Sequence, residues 1–362
     1  MLKEIKKIDK PWIAIIDHSI NIGTKKLFVV LRIELDVLCK KDKAVTLEDC
    51  ECVGLKICEV VNGESVKKDL EEIFKISGNP NAIIKDTDYT LNKGVKLYNK
   101  SRKKPILLIE DISHVVAKSL KKEFEETKSY KQFTQLIKNG SARIRNTEIA
   151  FLTPPKLRNK ARFQNVSRLG KWGEKMMKHF NIRGRAKKGS ILERLRLAFP
   201  GFSRLKPFIL NFSKTTAVTS KIMQRLKNKG LEKSTYDECK IMLKELPKSS
   251  RTAKSLRDWL DRHLKIQKQL GSYPMPISSD IIESLFGKFK HTIEKSPQSD
   301  MNHSILIIPL LCGKISEEKI SDALNSVSQK ELNEWKEKHI GKTMRMKRID
   351  FLNQNIQKVG NS

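Results

Sequence analysis

The sequence predicts an α/β protein with a mixed five-stranded sheet, flanking helices and a large, basic, all-helical insertion. Five short apolar or alternating segments, typical of strands, lie within the first 114 residues. Residues 115–279 instead show long helical periodicity with little strand signal. This stretch also holds 39 Lys and Arg against 12 Asp and Glu, so it carries +27 of the net charge of +32.

The first three predicted strands follow one another without an intervening helix. They are Trp12–Asp17, Lys26–Leu35 and Cys52–Val61. Consecutive strands of this kind usually pair as an antiparallel meander. A helix follows, with Ser65 as its expected cap, and ends at Gly78.

The last two predicted strands alternate with helices. Asn81–Lys85 is followed by a helical stretch, Leu91–Lys100, and then by Pro105–Ile109. A strand–helix–strand step favours parallel pairing, so the complete sheet should be mixed. The predicted divisions are 1–114 for the first part of the sheet domain, 115–279 for the helical insertion, and 280–362 for a final core helix and a helical tail. Within the tail, Lys342–Arg348 is expected to fray.

Composition narrows the classes of function. Hydrophobic residues make up 38% and charged residues 31% of the 362, which indicates a folded protein. A charge of +32 favours polyanionic partners, above all nucleic acid. The longest apolar run, Ile305–Cys312, is too short to cross a membrane, so a cytoplasmic protein with no membrane partner is expected. The six cysteines form no CxxC pair and are expected to be reduced thiols, with zinc as a lesser alternative.

Three acidic residues fall where the predicted elements could bring them together. Asp17 ends the first predicted strand, Asp86 follows the fourth, and Glu283 lies near the start of a helix after the insertion. Carboxylates at strand ends and helix starts can converge on one edge of a sheet. Two Mg²⁺ ions about 3.5–4 Å apart require such a cluster of hard oxygen ligands.

Four segments together resemble the successive blocks of bacterial insertion-sequence transposases of the DDE type. They are IIDHSINIGTKKLFVVL, AIIKDTDYTLNKGVKLY, ILLIEDISHVVAKSLKK and SDIIESLFGKFK. The resemblance implies an RNase H-like (retroviral-integrase) core with an Asp-Asp-Glu metal triad. It further implies two Mg²⁺ ions, replaceable by Mn²⁺, cleavage of transposon ends in double-stranded DNA, and transfer of the 3′-hydroxyl into target DNA. A homodimer or larger assembly on DNA, associated with the bacterial nucleoid, is also implied.

The resemblance assigns the triad to Asp17, Asp86 and Glu283, and a phosphate contact to Lys290, seven residues after the glutamate. Two departures accompany it. The tyrosine and arginine that precede the glutamate in one such signature would fall at Pro276 and Ser279. The family also places an end-recognition domain before the first strand, where only about eleven residues stand in this sequence.

Simpler explanations compete at each acidic position. Asp88 could replace Asp86, or one of the two could cap the next helix. Asp111 also ends a strand and is the alternative second metal ligand, although it is better interpreted as a helix N-cap. Glu283 could be an ordinary first-turn glutamate.

The basic insertion is interpreted as a DNA-binding surface. Within residues 141–230 there are 23 basic and 3 acidic side chains. Such density is more than a solvated face requires, and phosphate contact is expected. The candidate DNA-binding arginines are Arg158, Arg162, Arg168, Arg183 and Arg185. The alternatives to a transposase are a catalytically inactive nucleic-acid-binding remnant and an RNase H-like nuclease without strand transfer.

Overall fold

Two units, one built around a sheet and one built from helices, make up the chain. The computed structural model describes residues 5–22, 25–41, 43–86, 88–156, 163, 166–182, 184–294, 304–339, 342 and 344–359. The sheet unit comprises Met1–Asp111 and Pro276–Ser362, and the helical unit comprises Ile112–Met275. The predicted arginines Arg158, Arg162 and Arg183 lie outside the described residues.

The sheet has five strands in the order β3-β2-β1-β4-β5. Their bounds are β1 Trp12–Ile22, β2 Lys25–Glu34, β3 Glu51–Cys58, β4 Ala82–Lys85 and β5 Leu107–Glu110. The first three strands pair antiparallel, and β1, β4 and β5 pair parallel. The predicted mixed sheet with flanking helices is therefore confirmed, consistent with the RNase H-like class.

The first strand is longer than predicted, so the expectation that Asp17 ends it is wrong. The antiparallel ladder with β2 continues through His18↔Phe28 to Ile22↔Lys25 and places Asp17 opposite Val29. The reason is that β2 is long enough for the antiparallel ladder to continue past Asp17, where the apolar run of the sequence stops. By contrast, β3 ends at Cys58 rather than at Val61.

Two helices, α1 (Gly63–Ser77) and α2 (Tyr89–Lys100), cover one face of the sheet. The N-cap of α1 is Asn62 rather than the predicted Ser65. The Ser65 amide donates to the Asn62 side chain at 2.9 Å, and the Asn62 amide donates to Ser65 Oγ at 3.0 Å. Ser65 therefore completes a reciprocal capping box two residues inside the helix instead of starting it.

A core of alternating strand residues and helix residues holds this face together. Buried members from β1 are Trp12, Ala14 and Ile16, which pack with apolar side chains of α1 and α2. Because side chains alternate along a strand, Ile13 and Ile15 project to the opposite face, and both are fully buried there as well.

Close approach of α1 and α2 depends on a glycine. A Cβ built on Gly94, in the middle of α2, would lie 2.4 Å from the Cβ of Val66 in α1. We expect Gly94→Leu to lower the free energy of unfolding by about 3 kcal/mol or more, because the helices must separate to admit the side chain. Urea unfolding measures this loss. Gly287→Leu, on an exposed helical site with no described atom within 4 Å of its Cβ, is the matched control and should change the midpoint little.

The helical unit consists of seven α-helices in its described part. They are α3 Ile112–Phe124, α4 Lys128–Ile144, α5 Ser167–Phe180, α6 Ile191–Ala198, α7 Lys206–Lys229, α8 Lys233–Leu243 and α9 Arg251–Gln269. Its core is rich in aromatic side chains, including Phe133, Phe202 and Phe212. Trp259 of α9 is fully buried in the same unit.

Among the described residues, four further α-helices follow the insertion. They are α10 Asp280–Glu294, α11 Glu317–Asn325, α12 Gln329–His339 and α13 Met344–Val359. The prediction that Lys342–Arg348 frays is wrong from Met344 onward. This stretch consists of good helix formers and continues into a segment with apolar residues at helical spacing. None of the described helices is both long and apolar enough to cross a membrane.

Candidate functional site

Asp17 and Asp86 lie at equivalent places on two neighbouring parallel strands. The paired register joins Ile13–Ile15 of β1 to Ala82–Ile84 of β4, and each aspartate comes two residues after its paired segment. The two-residue period of a strand puts both on the face opposite α1 and α2. Neighbouring strands are about 4.8 Å apart. Asp17 and Asp86, named here the aspartate row, therefore lie side by side on one face, at the C-terminal edge of the parallel part of the sheet.

The loop after β4 assigns different roles to its two aspartates. Asp88 caps α2, because its carboxylate accepts from the amides of Thr90 at 2.8 Å and Leu91 at 3.1 Å. Asp86 accepts from the Asp88 amide at 2.7 Å through one oxygen, Oδ1. Of the alternatives left open by the sequence, Asp88 is thus the capping residue.

Asp111 takes the corresponding position after the third parallel strand, β5, and is fully buried. Its amide donates to the Lys85 carbonyl at 3.2 Å, which continues the β4–β5 ladder beyond Glu110. Its carboxylate accepts from the amide and the hydroxyl of Ser279, the latter at 2.6 Å, and from the Ser278 hydroxyl at 3.4 Å. Asp111 therefore ties the segment that begins α10 to the end of β5.

Helix α10 carries the third predicted acid. Its apolar side chains Ile282, Leu285 and Phe289 are buried, and the helix contacts β1. Glu283, in its first turn, and Lys290, two turns later, are both exposed. Their seven-residue spacing keeps them on one side of the helix. The Asp111 contact thus brings the start of the glutamate helix to the edge of the sheet that holds Asp17 and Asp86.

The donor set suits a hard divalent cation in kind, since all three predicted ligands are carboxylates. In the arrangement described, however, no group of three or more His, Cys, Asp or Glu side chains is placed to hold a metal ion. The structure thus brings two aspartates to one row and the glutamate helix to the same edge. It does not bring the three carboxylates into a closed coordination shell.

Lys85 is a buried lysine next to Asp86. It is 2% exposed, and its ammonium donates to the Asn92 side chain. Burial lowers the pKa of Lys85, while the nearby Glu110 and Asp86 carboxylates oppose that shift. Lys85 was not among the residues predicted from the sequence. A lysine at the end of an otherwise apolar strand was the available signal.

His18 adjoins Asp17 but projects to the other face of the strand. It stacks on Phe28 with ring centroids 4.6 Å apart. Within the described part of the chain its Nε2 is buried without a hydrogen-bond partner. Burial lowers the pKa of His18 to about 4, with Asp88 opposing the shift and Lys26 adding to it. These contacts describe a packed histidine better than a catalytic base.

His18 should therefore make stability pH-dependent. Its folded pKa lies below the unfolded value of 6.5, so the folded state binds fewer protons and loses stability as the pH falls from about 6.5 to 4. His18→Phe retains the stacking and should remove this component. Urea midpoints at pH 7 and pH 4.5 for both proteins measure it. Equal pH dependence of the two proteins would show that His18 is protonated normally.

The predicted arginines that the structure describes belong to the helical unit. Arg168 lies in the first turn of α5 and Arg185 in the loop before α6, and both are exposed. Arg196 of α6 fixes the loop around Arg185. Its guanidinium donates to the carbonyls of Ile182 at 2.6 Å and Gly184 at 2.8 Å. Arg196 is therefore at least partly structural, whereas Arg185 is presented to solvent.

The tether between Asp111 and Ser279 is the main feature that sequence reasoning missed. The signal was present as Ser278-Ser279-Asp280 before an apolar helical run, a pattern typical of a helix start. Nothing in that pattern indicates that the donors of this helix start meet a residue 168 positions earlier. Only the folded sheet brings Asp111 to them.

No protein-family model matches the chain, and no curated protein matches it. Among solved structures, the chain is similar to the Drosophila P element transposase strand transfer complex, with a TM-score of 0.44 and 9% sequence identity. The similarity covers 87% of this chain and 80% of that chain. This score indicates only partial similarity of fold. The assignment of candidate site residues therefore rests on the geometry described above.

Proposed function

We propose that the protein is a DNA transposase that cleaves phosphodiester bonds at transposon ends and transfers the resulting 3′-hydroxyl to target DNA. One observation carries the proposal. Asp17 and Asp86 share a face at the ends of paired parallel segments, and Asp111 anchors the helix of Glu283 to the same edge. Buried strands and a tethered helix are rigid supports, which the positioning of a phosphodiester requires.

Asp17 and Asp86 would hold divalent metal ions, Mg²⁺ or Mn²⁺, and Glu283 would complete the ligand set when DNA is bound. Bound metal ions would supply an activated attacking oxygen and charge stabilisation at phosphorus. In this proposal the chain orients the carboxylates, and the Asp111 contact fixes where α10 begins. Lys290, two turns beyond Glu283, would hold a phosphate of the transposon end.

Double-stranded DNA is the proposed partner, and the helical unit would supply most of its affinity. This unit contains residues 141–230, with 23 basic and 3 acidic side chains. Arg168 and Arg185 are exposed members of this set. Neutralising either should reduce the salt dependence of DNA binding by about one phosphate contact. Action as a homodimer or larger assembly, within the bacterial cytoplasm, belongs to the same proposal.

A strand-transfer assay tests the reaction. The protein is incubated with Mn²⁺, a supercoiled plasmid and a labelled duplex corresponding to the element's end, and joined products are counted. A duplex with a 3′-deoxy terminus is the substrate control, because it lacks the attacking hydroxyl. Joining by the normal duplex, none by the deoxy duplex and none by Glu283→Gln would support the proposal.

The outcomes of this assay also separate the alternatives. Nicking that needs Glu283 but never yields joined products would indicate a nuclease. Salt-sensitive DNA binding with neither nicking nor joining would indicate an inactive nucleic-acid-binding protein. Glu317→Gln, which removes another exposed first-turn glutamate, is the matched control and should behave as the wild type.

A further inference from the structure

A basic cleft lies in the sheet unit, at the C-terminal ends of α1 and α2. Its volume is about 480 Å³, within the size range of ligand-binding pockets. Lys7, Lys75 and Arg102 line it, together with a single carboxylate, that of Glu71. The loop that follows α2 adds Lys103 and Lys104 beside Arg102, both exposed.

Arg102 is held in place at this cleft rather than merely exposed. Its guanidinium donates to the Tyr98 hydroxyl at 2.8 Å and to the Asn79 side-chain oxygen at 3.0 Å, through the same nitrogen, Nη1. It also lies over the Tyr98 ring, 5.1 Å from the centroid. Tyr98 is 4% exposed and packs edge-on against Phe74, so its position is determined by the core. These contacts orient the guanidinium and occupy neutral groups only.

The cations of this cleft differ from many others of the sheet unit. Lys10, Lys41 and Lys56 each form an ion pair with a carboxylate, at 3.0, 2.5 and 2.5 Å. Among the described residues, neither Lys7 nor Lys75 nor Arg102 has a carboxylate within 4 Å, and Glu71 is instead 3.8 Å from Lys67. Within the part of the chain that the structure describes, three cations therefore line the cleft against one carboxylate, and none of the three is ion-paired.

The helix dipole explains the position of one of these three cations. Lys75 lies in the last turn of α1, where a cation is favoured by the helix dipole. That effect does not account for Lys7, which lies outside any helix and whose stem runs 3.5 Å from the Cβ position of Gly78. Nor does it require Arg102 to be fixed by a buried tyrosine. Oriented cations around an open cleft are the arrangement that phosphate groups bind.

We infer that this cleft binds phosphate groups of a nucleic-acid backbone, as a second contact surface of the sheet unit. The inference rests on the DNA-binding part of the proposed function and is independent of the metal site. The cleft lies at the end of the sheet opposite the aspartate row, since α1 and α2 both end here and β4 and β5 begin here. A nucleic-acid strand that contacts both the cleft and the aspartate row would therefore run across the whole sheet unit.

The experiment compares two double variants that remove the same charge from the full-length chain. Lys7→Gln with Lys75→Gln alters the cleft, whereas Lys10→Gln with Lys56→Gln alters two ion-paired lysines of the same unit. DNA affinity is measured from 50 to 300 mM salt by fluorescence anisotropy. The cleft variant should reduce the slope of log K against log salt by about 1 to 2, since each phosphate contact contributes about 0.9. The control variant should leave it within the error of the wild type.

A second arm identifies the source of the phosphate. Pyrophosphate binding to the wild type and the cleft variant is measured by calorimetry. Equal salt slopes for the two double variants, with DNA still bound, would overturn the inference while leaving the proposed function standing. Cleft-dependent pyrophosphate binding without any effect on DNA would assign the cleft to a free phosphate compound and likewise overturn it. A wild type that binds no DNA would overturn both this inference and the proposed function, and unchanged thermal unfolding of the variants excludes loss of fold.

Discussion

Asp17→Asn and Asp86→Asn should each reduce metal-dependent nicking of supercoiled plasmid at least about 100-fold, which corresponds to about 2.7 kcal/mol of transition-state stabilisation. Each substitution replaces a charged hard ligand with an amide of the same shape. Both aspartates occupy equivalent places beyond the paired segments of β1 and β4, so their losses should be similar. DNA affinity should stay the same or rise, because each substitution removes a negative charge from the place where the proposed function puts a DNA phosphate.

Asp88→Asn is the matched control for this pair. It removes the same charge two residues from Asp86, and asparagine serves as an N-cap as well as aspartate does. Nicking by this variant should therefore equal that of the wild type. If the Asp88 variant loses activity while the Asp86 variant retains it, the metal ligand of this loop has been assigned to the wrong residue.

Asp111→Ala should lower the free energy of unfolding by about 3–5 kcal/mol, the largest stability effect expected here. The substitution removes a buried carboxylate and leaves the amide and hydroxyl of Ser279 without their acceptor. The urea midpoint of the full-length chain, followed by far-UV circular dichroism, measures this loss. Ser279→Ala removes only one donor and should cost about 1 kcal/mol.

Asp322→Ala provides the comparison on an exposed helix and should change stability by less than about 0.5 kcal/mol. The pattern of results separates two roles for Asp111. A large fall in the midpoint identifies the residue as the anchor of α10. An unchanged midpoint combined with complete loss of nicking would identify it as a metal ligand instead, which is the alternative that the sequence left open.

The sheet was predictable because its strands carry strong local signals. Apolar runs bounded by turn residues mark β1 to β5, and the order of strands and helices is enough to predict a mixed sheet. The extension of β1 through Ile22 was not predictable in the same way. The apolar run stops at Asp17, and polar residues alternate with isoleucines after it, so the further pairing of β1 follows from the length of β2.

The sequence was enough to name candidate site residues, but it predicted their arrangement only in part. Strand position identified Asp17 and Asp86, since residues that follow paired parallel segments meet at one edge. The roles of Asp88 and Asp111 could not be separated from theirs, because in the sequence all four aspartates stand near predicted strand ends or helix starts. Their hydrogen-bond partners separate these roles. The partner of Asp111 is Ser279, which comes after the whole insertion in the sequence.

Charge predicted a class of partner but not its place of contact. The concentration of basic residues in 115–279 is visible in the sequence, whereas the cleft with Lys7, Lys75 and Arg102 is not. These three residues are distant in sequence and lie in a unit with little net charge excess. Folding brings them together around one cleft, while other lysines of the unit, such as Lys10 and Lys56, form ion pairs with carboxylates.

Binding of Mn²⁺ is the most direct test of the central claim that the aspartate row is a divalent-metal site. Electron paramagnetic resonance of free Mn²⁺ gives the bound fraction for the wild type, for Asp17→Asn with Asp86→Asn, and for Asp88→Asn, each with and without DNA. The account predicts saturable binding by the wild type and by Asp88→Asn, strengthened by DNA, and none by the double variant. Equal binding by all three proteins would contradict it, since the metal would then be held by other residues.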